Sequence, residues 1–142
     1  MVMKYKFAEG REEDTKIMAK TIWGEARGES DEGKTAVGWV IRNRAEKPKW
    51  WGKTISGVCL KKWQFSCWNS NDPNAEKIAN LSDEELTPFI LIAKGILDGD
   101  ADDPTGKSTH YHVHGMKNMP KWSEGKTPFI QIDHHDFYRE IL

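Results

Sequence analysis

Ile22-Trp23-Gly24-Glu25-Ala26-Arg27-Gly28-Glu29-Ser30 joins two helical patterns, and the fold follows from how that junction is read. Upstream, Ile17, Met18, Ile22 and Trp23 recur at helical spacing, with Asp14 as a candidate N-cap and Gly28 as a candidate stop. Glu25 lies on the line from Met18 through Ile22, so helical geometry carries its carboxylate along the apolar stripe. That is an unusual position for Glu. Downstream, Ser30 can cap a second helix whose first turn holds Asp31 and Glu32 at the positive end of the dipole. Ala36, Val37, Val40 and Ile41 form its inner face, and Lys47-Pro48 ends it. Two helices therefore meet at an elbow that displays Glu25.

Further along, Thr54 to Leu60 and Ala75 to Ala79 read as short helices on either side of a polar and aromatic stretch, Trp63 to Asn71. Ser82 with Glu85 makes a capping-box pattern, but Pro88 would then fall inside the helix, where proline costs about 3 kcal/mol. The pattern therefore predicts a start at Thr87-Pro88 and a helix that buries Phe89, Ile90, Ala93, Ile96 and Leu97 before Gly99. From Asp100 onward turn residues punctuate the chain, and Thr109 to Val113 and Pro128 to Ile132 alternate like strands. The expectation is one domain over residues 1–142, α+β but mainly α, with a small β or irregular C-terminal part.

Composition narrows the function. The 142 residues suit one core and one main site, and a formal net charge of -1 does not suit a protein that coats nucleic acid phosphates. No apolar run approaches the ~20 residues of a membrane span. Met1 to Gly10 has no apolar core of a secretory signal, and Cys59 and Cys67 are too few for a disulfide framework, although a single bridge between them is open. The acidic run Asp98, Asp100, Asp102, Asp103 lacks the glycine and the terminal Glu of a calcium loop and reads as a solvated turn.

Glu25 has a chemical rationale. Protonating a glycosidic oxygen near neutral pH needs a carboxylic acid whose pKa is raised, and burial against apolar groups raises it. Gly24 and Gly28, on either side, are expected to leave room for a bulky polymer near the backbone. An ordinary Glu at a helix end is the competing reading.

Ile22 to Glu29, then Gly33, Ala36-Val37-Gly38, Val40-Ile41 and Asn43-Arg44, resemble the SleB/CwlJ-type cell-wall hydrolase family. Further matches follow in order: Thr54-Ile55, Val58, Gln64-Phe65-Ser66-Cys67-Trp68, Asp103-Pro104-Thr105-Gly106, Thr109-His110-Tyr111, Pro120, Trp122, His135 and Phe137-Tyr138. The resemblance implies a lysozyme-like domain, similar to goose-type lysozymes and lytic transglycosylases, acting on peptidoglycan glycan strands without a cofactor. It also implies that Glu25 is the catalytic acid. Two-carboxylate hydrolysis wants a partner, and none is obvious, because Asp31 and Glu32 read as capping residues. A lytic transglycosylase needs one Glu and leaves 1,6-anhydro-muramyl ends. Gln64, Tyr111, Trp122 and Glu29 are the substrate-binding candidates, with Gln64 for hydrogen bonds and Tyr111 and Trp122 for stacking on sugars. Asn43 and Arg44 are expected to orient the elbow.

Three alternatives stand beside that expectation. One is a hydrolytic muramidase. A second is a zinc-dependent amidase, in which His110, His112 and His114 would share one face of a strand. The third is a non-catalytic wall-binding module built on the seven Trp. The expected setting is a monomeric phage endolysin, made in the host cytoplasm and reaching the wall after a holin opens the inner membrane, with no attraction to anionic envelopes from its net charge.

Overall fold

Ser30 caps as its position predicts: its hydroxyl accepts from the Gly33 amide and opens the second helix. The structure, a computed structural model, describes residues 3–6 and 10–141. Within them the chain forms α1 (Arg11–Ala26), α2 (Asp31–Glu46), α3 (Ile55–Leu60), α4 (Pro73–Ala79) and α5 (Asp83–Asp98), then β1 (His110–Val113), β2 (Ile130–Ile132) and β3 (His135–Tyr138). Short 3-10 turns lie at Ser66–Trp68 and Lys121–Ser123. Helix α1 packs against α2, α3 and α5, so the stripe beside Glu25 lines the main core. Met18 and Ile22 of α1, Trp39 and Ile41 of α2, Ile55 and Val58 of α3, and Ile96 and Leu97 of α5 are buried there. Each such aliphatic side chain contributes about 1.5–3 kcal/mol of burial. Gly38 sets the spacing, because a Cβ there would collide with Ile96 and press on Ile22.

The strands form one antiparallel sheet in the order β1-β3-β2. Tyr111 stands opposite Phe137, and His110 opposite Tyr138. Phe137 and Ile132 pack against Ala26, Ala36, Val37 and Val40, forming a second cluster between the sheet and the α1–α2 elbow. Tyr111 touches both clusters.

Three local expectations are corrected. Helix α1 begins a turn earlier than Asp14, after Gly10 in a left-handed conformation, and Asp14 instead accepts the Ser56 amide and hydroxyl, tying α1 to α3. Helix α5 begins at Asp83, with the Ser82–Glu85 capping box fully formed and Pro88 inside the helix. Pro88 sacrifices only one backbone bond near the helix start, while the extra turn buries Leu86 and lets the Thr87 hydroxyl bond the Asp83 carbonyl at 2.7 Å. The third correction is β3, which the alternation rule missed because all four of its residues are buried. Among the described residues no helix is long and apolar enough to cross a membrane.

Candidate active site

Glu25 sits in the last turn of α1, half-buried, with its carboxylate turned toward residues from two distant segments. The Cys67 amide donates to Oε2 at 3.2 Å, and the Tyr111 hydroxyl donates to Oε1 at 3.3 Å. Burial is the largest influence on Glu25 and raises its pKa; the Cys67 amide and thiol and the Tyr111 hydroxyl pull the other way, and the nearby Asp72 charge adds to the rise. The net result is a carboxylic acid that holds its proton above the ordinary range. The donors themselves stay protonated, since burial and the Glu25 charge push both the Tyr111 phenol and the Cys67 thiol well up. They serve as hydrogen-bond donors and not as nucleophiles.

Two clamps hold this arrangement. The first ties the Ser66–Asn74 segment to α1. A Cβ on Gly24 would come within 2.5 Å of Cys67 Cβ and 2.7 Å of its Sγ, so the glycine admits Cys67 against the helix. Asn74 then donates to the Gly24 carbonyl at 3.4 Å and accepts from Arg27 at 3.0 Å. Gly24 was expected to make room for polymer, but its space is filled by the protein; Gly28 does face open space. The second clamp ties the elbow to the β2–β3 turn. Asp133 accepts the Ser30 amide at 2.9 Å and the Ser30 hydroxyl, and Glu29 accepts the His134 amide at 3.1 Å. His134 Nδ1 lies 2.7 Å and His135 Nδ1 3.1 Å from the Glu29 carboxylate. Glu29 raises the pKa of His134, whereas burial lowers that of His135. The His135 ring in turn packs edge-on against Tyr111, with centroids 4.9 Å apart.

The predicted residues thus separate. Tyr111 is at Glu25, but as a hydrogen-bond donor packed between His135 and Phe137 and not as an open stacking platform. Glu29 is committed to the two histidines, with little of its side chain exposed. Gln64 is half-buried and accepts a long contact, 3.5 Å, from Arg44. Trp122 stacks 4.8 Å from His110 and 5.0 Å from Tyr138. Since His110 alternates with Tyr111 along β1, this puts Trp122 on the face of the sheet away from Glu25. Asn43 and Arg44 do not reach the elbow. Asn43 donates to Asp103 and to the Ser108 carbonyl, and Arg44 to the Thr109 carbonyl, so they fix the entry to β1 and through it Tyr111. Asp103, read as part of a solvated turn, also accepts the Thr105 and Lys107 amides and is an internal tie.

His110 and His112 share a face of β1, as alternation predicts, but each is separately engaged. His110 Nδ1 meets the Thr109 hydroxyl at 2.9 Å, and burial lowers its pKa to about 4, so it is neutral. His112 Nε2 meets the Tyr138 hydroxyl at 2.8 Å. His114 lies past the end of the strand and pairs with Asp136 at 2.9 Å. Among the described residues no group of three or more His, Cys, Asp or Glu is arranged to hold a metal ion. Cys59 and Cys67 are both buried and unbridged.

Two contributors escaped the sequence. The Cys67 donor is mainly a backbone amide, which no residue type reveals. Asp72, which the sequence reading did not single out, caps α4 by accepting the Asn74 amide at 2.8 Å; its electrostatic effect on Glu25 arises only from the folded loop.

A mainly helical scaffold that holds a carboxyl of raised pKa between an amide and a phenol has the form of a lysozyme-like acid-catalyst site. The chain belongs to the Cell Wall Hydrolase family, whose profile matches residues 28–138. That match begins just beyond Glu25. A spore cortex-lytic enzyme of Bacillus cereus is 32% identical over 125 residues, covering 87% of this chain and 43% of that protein. One from Halalkalibacterium halodurans is 31% identical over 101 residues, covering 69% of this chain and 26% of the relative. The chain therefore spans less than half the length of these curated relatives. Among solved structures, the catalytic domain of the germination-specific lytic transglycosylase SleB from Bacillus anthracis superposes with a TM-score of 0.68 at 25% identity, covering 94% of this chain and 98% of that one. The catalytic domain of Bacillus cereus SleB gives 0.70 at 26% identity, covering 96% and 95%. The lysozyme-like, mainly helical fold expected from the sequence is borne out.

Proposed function

We propose that the protein cleaves the MurNAc-GlcNAc β-1,4 bond of peptidoglycan as a lytic transglycosylase, with Glu25 as its acid and then its base. The supporting observation is the Glu25 carboxyl itself, whose pKa burial raises and whose carboxylate form is supplied with two donors. In the first half, Glu25 gives its proton to the glycosidic oxygen as the bond to the anomeric carbon breaks. The carboxylate left behind is held by the Cys67 amide and the Tyr111 hydroxyl. In the second half it takes the proton of the muramic acid 6-hydroxyl as that oxygen bonds to the anomeric carbon, closing the 1,6-anhydro ring and restoring the acid. The likeness to the catalytic domain of the lytic transglycosylase SleB from Bacillus anthracis supports the same chemistry.

A hydrolytic muramidase is the second reading, and Asp72 is the observation that favours it. Hydrolysis by activated water calls for a second carboxylate, and Asp72 is an acidic residue whose charge is felt at Glu25, although its own carboxylate caps α4. Mass spectrometry of digested peptidoglycan separates the two: anhydro-muramyl ends support the transglycosylase, and ordinary reducing ends carry the hydrolase in its place. Freed stem peptides with intact strands would overturn both. For the setting, we propose host-cell lysis by a phage endolysin; two buried, unbridged thiols suit synthesis in a reducing cytoplasm. Expression with and without a holin tests this, since lysis only with the holin is expected and lysis without it would contradict the setting.

A further inference from the structure

Between Lys47 and Asn71 the chain has five lysines and no Asp or Glu, although its formal net charge is -1. Lys47, Lys49, Lys53, Lys61 and Lys62 are all exposed. The same segment carries four of the seven Trp, and two of these, Trp50 and Trp63, are 55% and 64% exposed. Trp63 is the sharper anomaly. Its φ is 69°, a left-handed conformation that a bulky side chain adopts only against steric resistance. A turn in which the Gln64 amide donates to the Lys61 carbonyl at 3.1 Å holds it there. Burial of the indole does not offset that strain, because the ring is turned outward, with Lys62 Nζ 5.5 Å from its centroid.

Beside the ring lies a hollow of about 210 Å³ lined by Leu60, Lys61, Lys62, Trp63, Trp68 and Asn69. Its floor is firm: Trp68 Nε1 donates to Thr21 of α1 at 2.9 Å. The hollow is tied to the site through the chain: Trp68 follows Cys67, whose amide holds Glu25, and Thr21, which Trp68 meets, lies one helical turn before Glu25.

We propose that this hollow is a glycan subsite that takes a muramyl residue together with its peptide stem. An indole face suits the apolar C–H face of a pyranose. Stem peptides carry free carboxylates, which complement Lys61 and Lys62 in a segment with no acidic side chain. The strain at Trp63 keeps the ring presented to the strand. This inference rests on the glycan-strand reading above.

The test measures binding, so that it does not depend on turnover. The Glu25→Gln protein is cosedimented with intact sacculi and, separately, titrated with soluble peptidoglycan fragments whose stem carboxylates have been capped as neutral amides with carbodiimide and methylamine. Adding Trp63→Gly is expected to weaken binding to both polymers about tenfold, equivalent to ~1.4 kcal/mol, while the melting temperature holds or rises, because glycine accepts that φ freely. Adding Lys61→Ser and Lys62→Ser is expected to weaken binding to sacculi alone. Undiminished binding by the Trp63→Gly protein overturns the subsite, and equal losses on both polymers for the lysine variant overturn the stem contact. If Glu25→Gln binds neither polymer and the unaltered protein leaves strands intact, the glycan-cleaving reading falls and the subsite with it; retained binding with neutral variants removes the subsite alone.

Discussion

The two faces of the small sheet carry similar residues and do different things. On the inner face, Tyr111 and His135 lie against Phe137, and the Tyr111 hydroxyl reaches the Glu25 carboxylate. On the outer face, His110, His112, Tyr138 and Trp122 stack on one another, and the Tyr138 hydroxyl reaches His112. Both are tyrosine-histidine clusters, yet the inner hydroxyl bonds the Glu25 carboxylate of α1, whereas the outer hydroxyl bonds a histidine of its own sheet. A side chain's step along the strand decides whether its polarity serves the site or the packing.

Substitutions on either side can break that contrast. The largest loss is expected for Glu25→Gln, which removes the transferable proton and should lower turnover roughly a thousandfold with the fold intact. The variant should also be more stable than the parent at high pH. A carboxyl whose folded pKa is raised binds its proton more tightly folded than unfolded, so its contribution declines as pH rises through the folded value. Thermal melts across pH check this, and a parent that gains stability on Glu25's ionisation would contradict the desolvation argument. Gly24→Ala comes next. Its Cβ would displace Cys67, costing about 1–3 kcal/mol and, through misplacement of the acid, roughly a hundredfold in rate; a crystal structure with the loop unmoved would count against the clamp.

The matched pair Tyr111→Phe and Tyr138→Phe sharpens the comparison most directly. Tyr111→Phe deletes a donor to the charged form of Glu25, so the alkaline limb of the rate profile should move upward in pH and the rate should fall about tenfold. Tyr138→Phe should cost about 1 kcal/mol of stability and leave the pH profile in place. If both variants shift the limb alike, the two faces are not distinct.

Much of this was legible in the residues. The elbow, Ser30's cap and Glu25's place on an apolar stripe follow from helical periodicity, which depends on neighbours three and four residues away. Tyr111 was found by its motif, but its role was not, because a hydroxyl reaching across to α1 leaves no periodic mark. Trp122 shows the complementary failure: a flat ring is suitable for sugar, and only the parity of β1 reveals that it faces away from the acid. β3 lacked alternation because both of its faces are covered. Pro88 misled for an energetic reason, since the penalty for proline was known but the offsetting capping box and the burial of Leu86 depend on tertiary context.

Glu25 and the hydroxyl that steadies it are 86 residues apart, and Glu29 meets the β2–β3 turn across 105. On a ribosome, the helix bearing the acid is made long before either partner emerges. The contacts of the sheet with the elbow can close only when the last hairpin docks, so a chain interrupted before residue 134 would keep the Cys67 amide for Glu25 but lack the turn that holds Glu29, and pairings this distant in sequence form more slowly than local helical ones.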